Sequence, residues 1–383
     1  MKVLRNPAWR AASAFIDAAG ACLPRVSGAP RGGARRIFVF RPDALGDLLL
    51  SVPALRVLRA SCPRDHITLA VARPFADLAR GVAPVDEVVP LDLAWFVSGR
   101  RPILAGWGGL LRLLRRGRYD AAIDLRGDLR AIAAIRLAGI PVRIAPTGTG
   151  GGPFLTRAVP WRDGAHASDR DVGVVRAFAP STGLETGSAA LTGDVVAESL
   201  AIPPAWREEG RRTLLGAGVE PDAAYLVVRP GAGTTAKQWG TARLARAASL
   251  LRDRTGWAVL VMGGPGEEAL ALEVVAGVPG AVSLAGRTTL PALAGVLAGA
   301  RCVVSNDSGP SHLSALLGTP TVVVFSGTCR PEEWAPRGER VAILSHDVPC
   351  APCALRVCNV EGHPCLSRIE PAQVVEAAMR LAR

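Results

Sequence analysis

Residues 36–47 read RIFVFRPDALGD, and residues 225–239 read YLVVRPGAGTTAKQW. Each is a short apolar run that ends in Arg-Pro and enters a small-residue loop. The loops are Arg41-Pro42-Asp43-Ala44-Leu45-Gly46-Asp47 and Arg229-Pro230-Gly231-Ala232-Gly233-Thr234-Thr235. Apolar runs without alternation are the pattern of strands buried on both faces of a parallel sheet. Ligands of open α/β sheets sit outside the carboxyl ends of the strands, which is where both loops fall.

Further runs extend each series. Ile37-Phe40 is followed by Ile67-Val71 and Ala121-Leu125, separated by Ala/Leu/Arg segments of helical length. Tyr225-Val228 is followed by Ala258-Met262, Cys302-Val304, Thr321-Phe325 and Val341-Leu344. Strands alternating with helical segments make βαβ units, so the expected fold is α/β, with two Rossmann-like doubly wound domains facing a central cleft. The Gly/Thr/Pro-rich stretch Thr182 to Pro204 reads as the linker region. The expected divisions are a basic extension at 1–36, a first domain at 37–190, a second at 205–365, and a closing helix at 366–383 that crosses back to the first domain.

The chain has 383 residues, 49% hydrophobic and 20% charged, enough for two such cores and too apolar for disorder as its main state. No stretch approaches 18 uncharged apolar residues, so no membrane-spanning helix is expected. Lys+Arg exceeds Asp+Glu by 12; residues 1–200 hold 27 basic and 17 acidic groups, so the first half carries +10 of that excess. An anionic partner is expected there. Aromatics are only 5%, and no basic face interleaved with them is visible, so nucleic acid is not the expected partner. Residues 1–36 hold seven basic groups and one acid, Asp17; they read either as a poorly ordered extension or as a membrane-surface helix using Trp9, Phe15, Ile16 and Leu23. Asp17 interrupts what would be an export-signal core, so no export signal is read.

Four places carry residues suited to chemistry. Asp47 follows a Gly turn at the start of a helical stretch, Leu48 to Arg59, and reads either as a general base kept ionised by the helix end or as a simple cap. Gly233-Thr234-Thr235-Ala236-Lys237 combines a Gly turn, two hydroxyls and one of only two lysines in the chain, a set that suits phosphate oxygens; it lacks the Gly-Lys-Thr/Ser ending of a P-loop. Asn306-Asp307-Ser308-Gly309-Pro310-Ser311-His312 reads as strand end, tight loop and helix start, with Ser308 and Gly309 offering donors to a pyrophosphate and His312 on the same face. Glu267, after Gly263-Gly264-Pro265-Gly266, is placed to take ribose hydroxyls, although the glycines also make an ordinary turn.

In that order, Asp43-x-x-Gly46-Asp47 with Pro53-Ala54-Leu55, Gly233-Thr234-Thr235-x-Lys237-x-Trp239, Gly263-Gly264-Pro265 and Asp307-Ser308-Gly309-Pro310-x-His312 resemble glycosyltransferase family 9, the ADP-heptose:lipopolysaccharide heptosyltransferases. The resemblance runs from about Ile37 to the C-terminus. It implies a GT-B fold and inverting transfer of heptose from ADP-heptose to a lipopolysaccharide inner-core acceptor, with no cofactor; because a fixed Lys, a helix end and a His can hold the leaving diphosphate, transfer independent of a metal is expected. By the resemblance Asp47 would be the base, and Thr234, Thr235, Lys237, Ser308, Gly309 and His312 would bind the donor phosphates; Gly233 and Asp307 of the same motifs, and Glu267 on its own reading above, complete the expected donor site. Another nucleotide sugar on the same scaffold, or a noncatalytic nucleotide- or polyanion-binding protein, is the alternative.

The stretch Tyr119 to Arg130 resembles the family's acceptor-domain strand and turn, with Arg126 and Arg130 where many relatives have Gln and Lys. Those two arginines read either as a grip on acidic groups of a lipid-linked saccharide or as a solvated helix face. The expected setting is cytoplasmic, peripheral at the inner face of the inner membrane, as a monomer. The cysteines Cys350-x2-Cys353-x4-Cys358-x6-Cys365, with His363 beside the last, leave metal binding, disulfides and free thiols all open, and no metal is assigned to them.

Overall fold

The computed structural model describes residues 34–92, 106–147, 150–178 and 200–383. The extension up to residue 33, and residues 182–199 of the expected linker, lie outside the described residues. The chain divides into two compact units, Met1–Asp194 and Val195–Arg383.

The first unit holds β1 (Arg36–Arg41), β2 (His66–Ala72), β3 (Glu87–Leu91), β4 (Ala121–Asp124), β5 (Val142–Pro146) and β6 (Arg157–Val159) in one sheet, ordered β3-β2-β1-β4-β5-β6. All pairs are parallel, with Ile37 in register with Ile67 on one side and Ala121 on the other. Ile37, Phe38, Val39 and Phe40 have no exposed surface, as a strand covered on both faces requires. Phe38 stacks at a tilt on Tyr119, 5.0 Å between ring centres.

The second unit holds β7 (Tyr225–Arg229), β8 (Ala258–Val261), β9 (Val282–Ser283), β10 (Cys302–Asn306), β11 (Thr321–Phe325) and β12 (Val341–Ser345), ordered β12-β11-β10-β7-β8-β9. These pairs are parallel too. Counted from its own first strand, each sheet runs 3-2-1-4-5-6, the order of a dinucleotide-binding fold. The chain order reverses between β1 and β4 in one unit and between β7 and β10 in the other. The loops after these four strands are those singled out from the sequence.

The helix Pro371–Leu381 buries Val374, Val375, Ala377 and Ala378 in the same core as Leu226, Val228, Trp239, Val304 and Val322. Its apolar side therefore belongs to the second unit's own core. Among the described residues, no helix is long and apolar enough to cross a membrane.

Two helices of this unit, Pro204–Gly216 and Leu290–Gly299, approach backbone to backbone at Gly210 and Gly295. A Cβ on Gly295 would lie 2.0 Å from the Trp206 carbonyl oxygen, and one on Gly210 would lie 2.5 Å from the Gly295 carbonyl carbon. Neither neighbour is a flexible side chain that could swing away. Gly295→Ala is expected to lower unfolding free energy by roughly 1–3 kcal/mol in chemical denaturation, the usual cost of overpacking. Gly216→Ala on the same helix pair, with open space around its Cβ, is expected not to destabilise.

Candidate active site

At the first switch point, β1 ends in Arg41, whose side chain is buried. Its Nε donates to the Asp47 carbonyl oxygen at 3.2 Å and its Nη1 to the Leu125 carbonyl at 3.3 Å. Its Nη2 donates to Asp171 Oδ2 at 2.8 Å, and Asp43 Oδ2 lies 3.6 Å from Nη1. One guanidinium thus ties the β1 loop to the β4 loop and to the helix Ala167–Phe178, which carries Asp171.

Asp47 lies in the first turn of the helix Leu45–Leu50. The expected single helix Leu48 to Arg59 is two, broken at Ser51, with Pro53 in the first turn of Val52–Ser61. Proline lacks the N–H that a helix interior would use but suits a helix start. The expected lowering of the Asp47 pKa by the helix end is also reversed. Burial raises it and the Asp43 charge raises it further, outweighing Arg41, Arg126 and the local backbone donor.

Asp124, at the end of β4, is fully buried and accepts backbone N–H bonds from Arg126 at 2.9 Å and Asp128 at 3.0 Å. Burial and the nearby Asp128 charge push its pKa up to about 7. Gly127 turns the loop at φ +73°, where a Cβ would lie 2.4 Å from the Pro146 carbonyl oxygen. Asp128 caps the helix Leu129–Leu137 by accepting from Arg130 N at 2.9 Å. Arg130 grips the same carboxylate with Nε at 2.9 Å and Nη2 at 2.6 Å, while Arg126 pairs with Asp43. Both arginines are thus bound to carboxylates of their own unit, rather than lying loose on a helix face.

At the second switch point, fully buried Asn306 joins the two loops: Nδ2 donates to the Pro230 carbonyl at 2.7 Å, and Oδ1 accepts from Trp239 N at 3.0 Å. Trp239 is anchored in turn by Nε1 to the Ile369 carbonyl at 3.0 Å. That framework brings Lys237 Nζ to 2.5 Å from Asp307 Oδ2. Ser308 precedes the helix Gly309–Leu316, its N–H donating to Ser311 Oγ at 3.4 Å, and His312 is buried in the same helix.

Glu267 Oε2 accepts from Gly264 N at 2.7 Å and from Arg229 Nη2 at 3.3 Å. Its other oxygen lies where a Cβ on Gly231 would stand, 1.9 Å away, so this glycine makes room for the carboxylate. Among the described residues, Thr234 Oγ1 is buried with no hydrogen-bond partner, and Gly233 has open space around it. Thr235 Oγ1 and Ala236 N both donate to the Arg356 carbonyl, at 3.2 and 3.1 Å. The structure therefore gathers the sequence-predicted residues into two groups, Asp47, Arg126 and Arg130 in one unit and the remainder in the other.

Arg41, Asp171, Arg229 and Asn306 were not singled out from the sequence as site residues. The repeated Arg-Pro step was a signal for the two arginines. Asp171 had none, because it lies in a helix distant in sequence from the loop it serves. It also belongs to the one Asp-x-Asp triplet of that helix, Asp169-Arg170-Asp171; a helix turns residues two apart to different sides, and here Asp169 is exposed while Asp171 is buried.

Cys350, Cys353, Cys358 and Cys365 line one small cavity together with Ala236, Gly327 and His363, and all four are free thiols. Burial raises the Cys365 pKa, and the other three thiols raise it further. Among the described residues, no group of three or more His, Cys, Asp or Glu side chains is arranged to hold a metal ion.

Residues 107–363 match the family model described as glycosyltransferase family 9 (heptosyltransferase). The chain is 28% identical over 336 residues to lipopolysaccharide heptosyltransferase 1 of Pseudomonas aeruginosa, covering 85% of this chain and 88% of that one. The solved Escherichia coli ADP-heptose LPS heptosyltransferase II is similar in fold, with a TM-score of 0.72 at 22% identity over 91% of this chain and 98% of that one. E. coli heptosyltransferase WaaC, solved with ADP-2-deoxy-2-fluoro heptose, is similar with a TM-score of 0.62 at 26% identity, covering 90% and 98%. With two parallel sheets wound outward from their first strands and a family match over most of its length, the chain is a glycosyltransferase of the GT-B fold and belongs to glycosyltransferase family 9, the heptosyltransferases.

Proposed function

We propose that this heptosyltransferase of the lipopolysaccharide core moves heptose from ADP-heptose to an inner-core hydroxyl, with inversion and without a metal ion. The observation that carries the reading is the Asp47 carboxylate, set at a switch point in a helix's first turn with its pKa raised by burial and by Asp43. A raised pKa brings a carboxylate closer to the operating pH, where a general base works best. Asp47 takes the proton of the acceptor hydroxyl as its oxygen bonds to the anomeric carbon; the opposite bond breaks and its electron pair leaves with ADP.

The second unit holds the leaving group. Lys237 supplies a cation, Ser308, Gly309 and His312 supply donors at a helix start, and Thr234 and Thr235 supply hydroxyls, so the developing diphosphate charge meets fixed partners. The open surroundings of Gly233 leave the backbone accessible to phosphate. Glu267, steadied by Gly264 N and Arg229, accepts from the ribose. ADP-heptose as donor is supported by the likeness to WaaC, which was solved with an ADP-fluoroheptose. Arg126 and Arg130 meet acidic groups of the acceptor, and residues 1–36 hold the chain, as a monomer, at the cytoplasmic face of the inner membrane. Mass analysis of the product formed from a panel of nucleotide sugars and a deacylated lipopolysaccharide acceptor tests the whole reading; a product from a different sugar alone would replace the donor assignment.

Asp47→Asn keeps the shape of the side chain and removes its basicity. Transfer is expected to fall about 10²- to 10⁴-fold while calorimetry shows unchanged ADP binding. Lys237→Ala is expected to weaken ADP about 10- to 100-fold, the worth of a charge-assisted hydrogen bond, and to leave adenosine nearly unaffected. Removing residues 1–33, which leaves Arg35, Arg36 and the whole of β1 in place, is expected to slow transfer to acceptor embedded in anionic vesicles and to spare a soluble acceptor, measured side by side.

A further inference from the structure

We propose that Asp171 is a positioning residue for transfer: by holding the Arg41 guanidinium it sets the placement and ionisation of the Asp47 carboxylate. The proposal rests on the reading of Asp47 as the base. It starts from geometry. Asp171 and Arg41 are both buried, and their 2.8 Å contact joins the helix Ala167–Phe178 to the end of β1. The same guanidinium holds the Asp47 carbonyl oxygen and the Leu125 carbonyl oxygen, and it faces Asp43. Moving Arg41 therefore moves the backbone of the residue that carries the base.

The charges around this hub do not balance. Asp47 is faced by Asp43 and Arg41 from its own loop and strand, by Arg126 from the β4 loop, and by Asp171 from the helix. Arg41 is faced by Asp171, Asp43, Asp47 and Asp124, and Asp171 also feels Arg170. Four carboxylates, those of Asp43, Asp47, Asp124 and Asp171, thus surround Arg41, while of the other cations nearby Arg126 is paired with Asp43 and Arg170 acts on Asp171. Burial would lower the Arg41 pKa, but these carboxylates together raise it. Asp171, pushed up to about 7 by burial against the pull of Arg41, competes with Asp47 for that single cation. A pair serving only to hold the helix would fix stability and leave the base untouched.

Asp171→Asn separates the two roles. Its amide oxygen still accepts from Arg41, but the competing negative charge is gone. Ionised Asp47 is then better stabilised, so its pKa falls, by about 1 unit for a charge at this range. The readout is the ¹³C NMR titration of the full chain labelled at aspartate carboxyls, with the Asp47 signal assigned by its loss in Asp47→Asn. A fall in the Asp47 midpoint supports the proposal, and an unchanged midpoint in the folded variant overturns it. If Asp171→Asn does not fold, Asp171→Glu keeps the negative charge but lengthens the side chain that holds the Arg41 guanidinium. A changed Asp47 midpoint in that variant supports the proposal, and an unchanged one overturns it. The acid limb of kcat/KM for transfer separates this from the function reading. If Asp47 is the base, the limb moves with the NMR midpoint; a midpoint that moves while the limb stays keeps the Asp171 assignment and removes Asp47 as base.

Discussion

A parallel sheet wound outward in both directions from its first strand must send two neighbouring loops apart at one point of its carboxyl edge. Between β1 and β4, and again between β7 and β10, the following segments leave toward opposite sides, and the strand ends are left uncovered. Most of the candidate site residues described above sit at one of these two partings; Glu267, in the loop after β8, lies one strand away. The constraint is purely topological, yet it decides which side chains can reach a ligand: the residues just after the first and fourth strands, and few others.

Each parting is held open by a buried polar group that binds both loops. In the first unit the group is Arg41, which touches the β1 loop through the Asp47 carbonyl and the β4 loop through the Leu125 carbonyl. In the second it is Asn306, bonded to Pro230 and Trp239. The choice suits the charge nearby. A cation belongs among the carboxylates of the first unit, whereas a neutral amide leaves Lys237 and Asp307 to settle the charge of the second. Buried polar groups fully supplied with partners fix one geometry where apolar packing alone tolerates several.

Much of this was legible in the chain because the central strands are continuous apolar runs with turn residues at each end. All four strands at the two partings were readable in that way, and so were the loops that follow them. Of the outer strands β12 was readable too, but four were not: β3 contains Pro90, β6 is three residues long, β9 is two, and β5 carries Arg143, buried with its guanidinium on the Phe154 and Ile140 carbonyls. Short edge strands have little room for a pattern, and a buried arginine breaks the apolar signal. The ionisation of Asp47 was read with the wrong sign, since a helix end is local and visible whereas Asp43 and burial act only after folding. Asp171 was invisible for the same reason, its partner lying 130 positions away.

Under the proposed function, in which Lys237 meets the donor diphosphate, its contact with Asp307 decides how that charge is shared. An ammonium that already has a carboxylate beside it is never left bare when the site empties. An arriving diphosphate therefore exchanges one anion for another, and gains less than it would from an isolated cation. A departing one leaves behind a lysine whose counter-ion is already in place, so spent nucleotide meets a smaller barrier to escape. A donor grip built this way trades tightness of hold for ease of turnover.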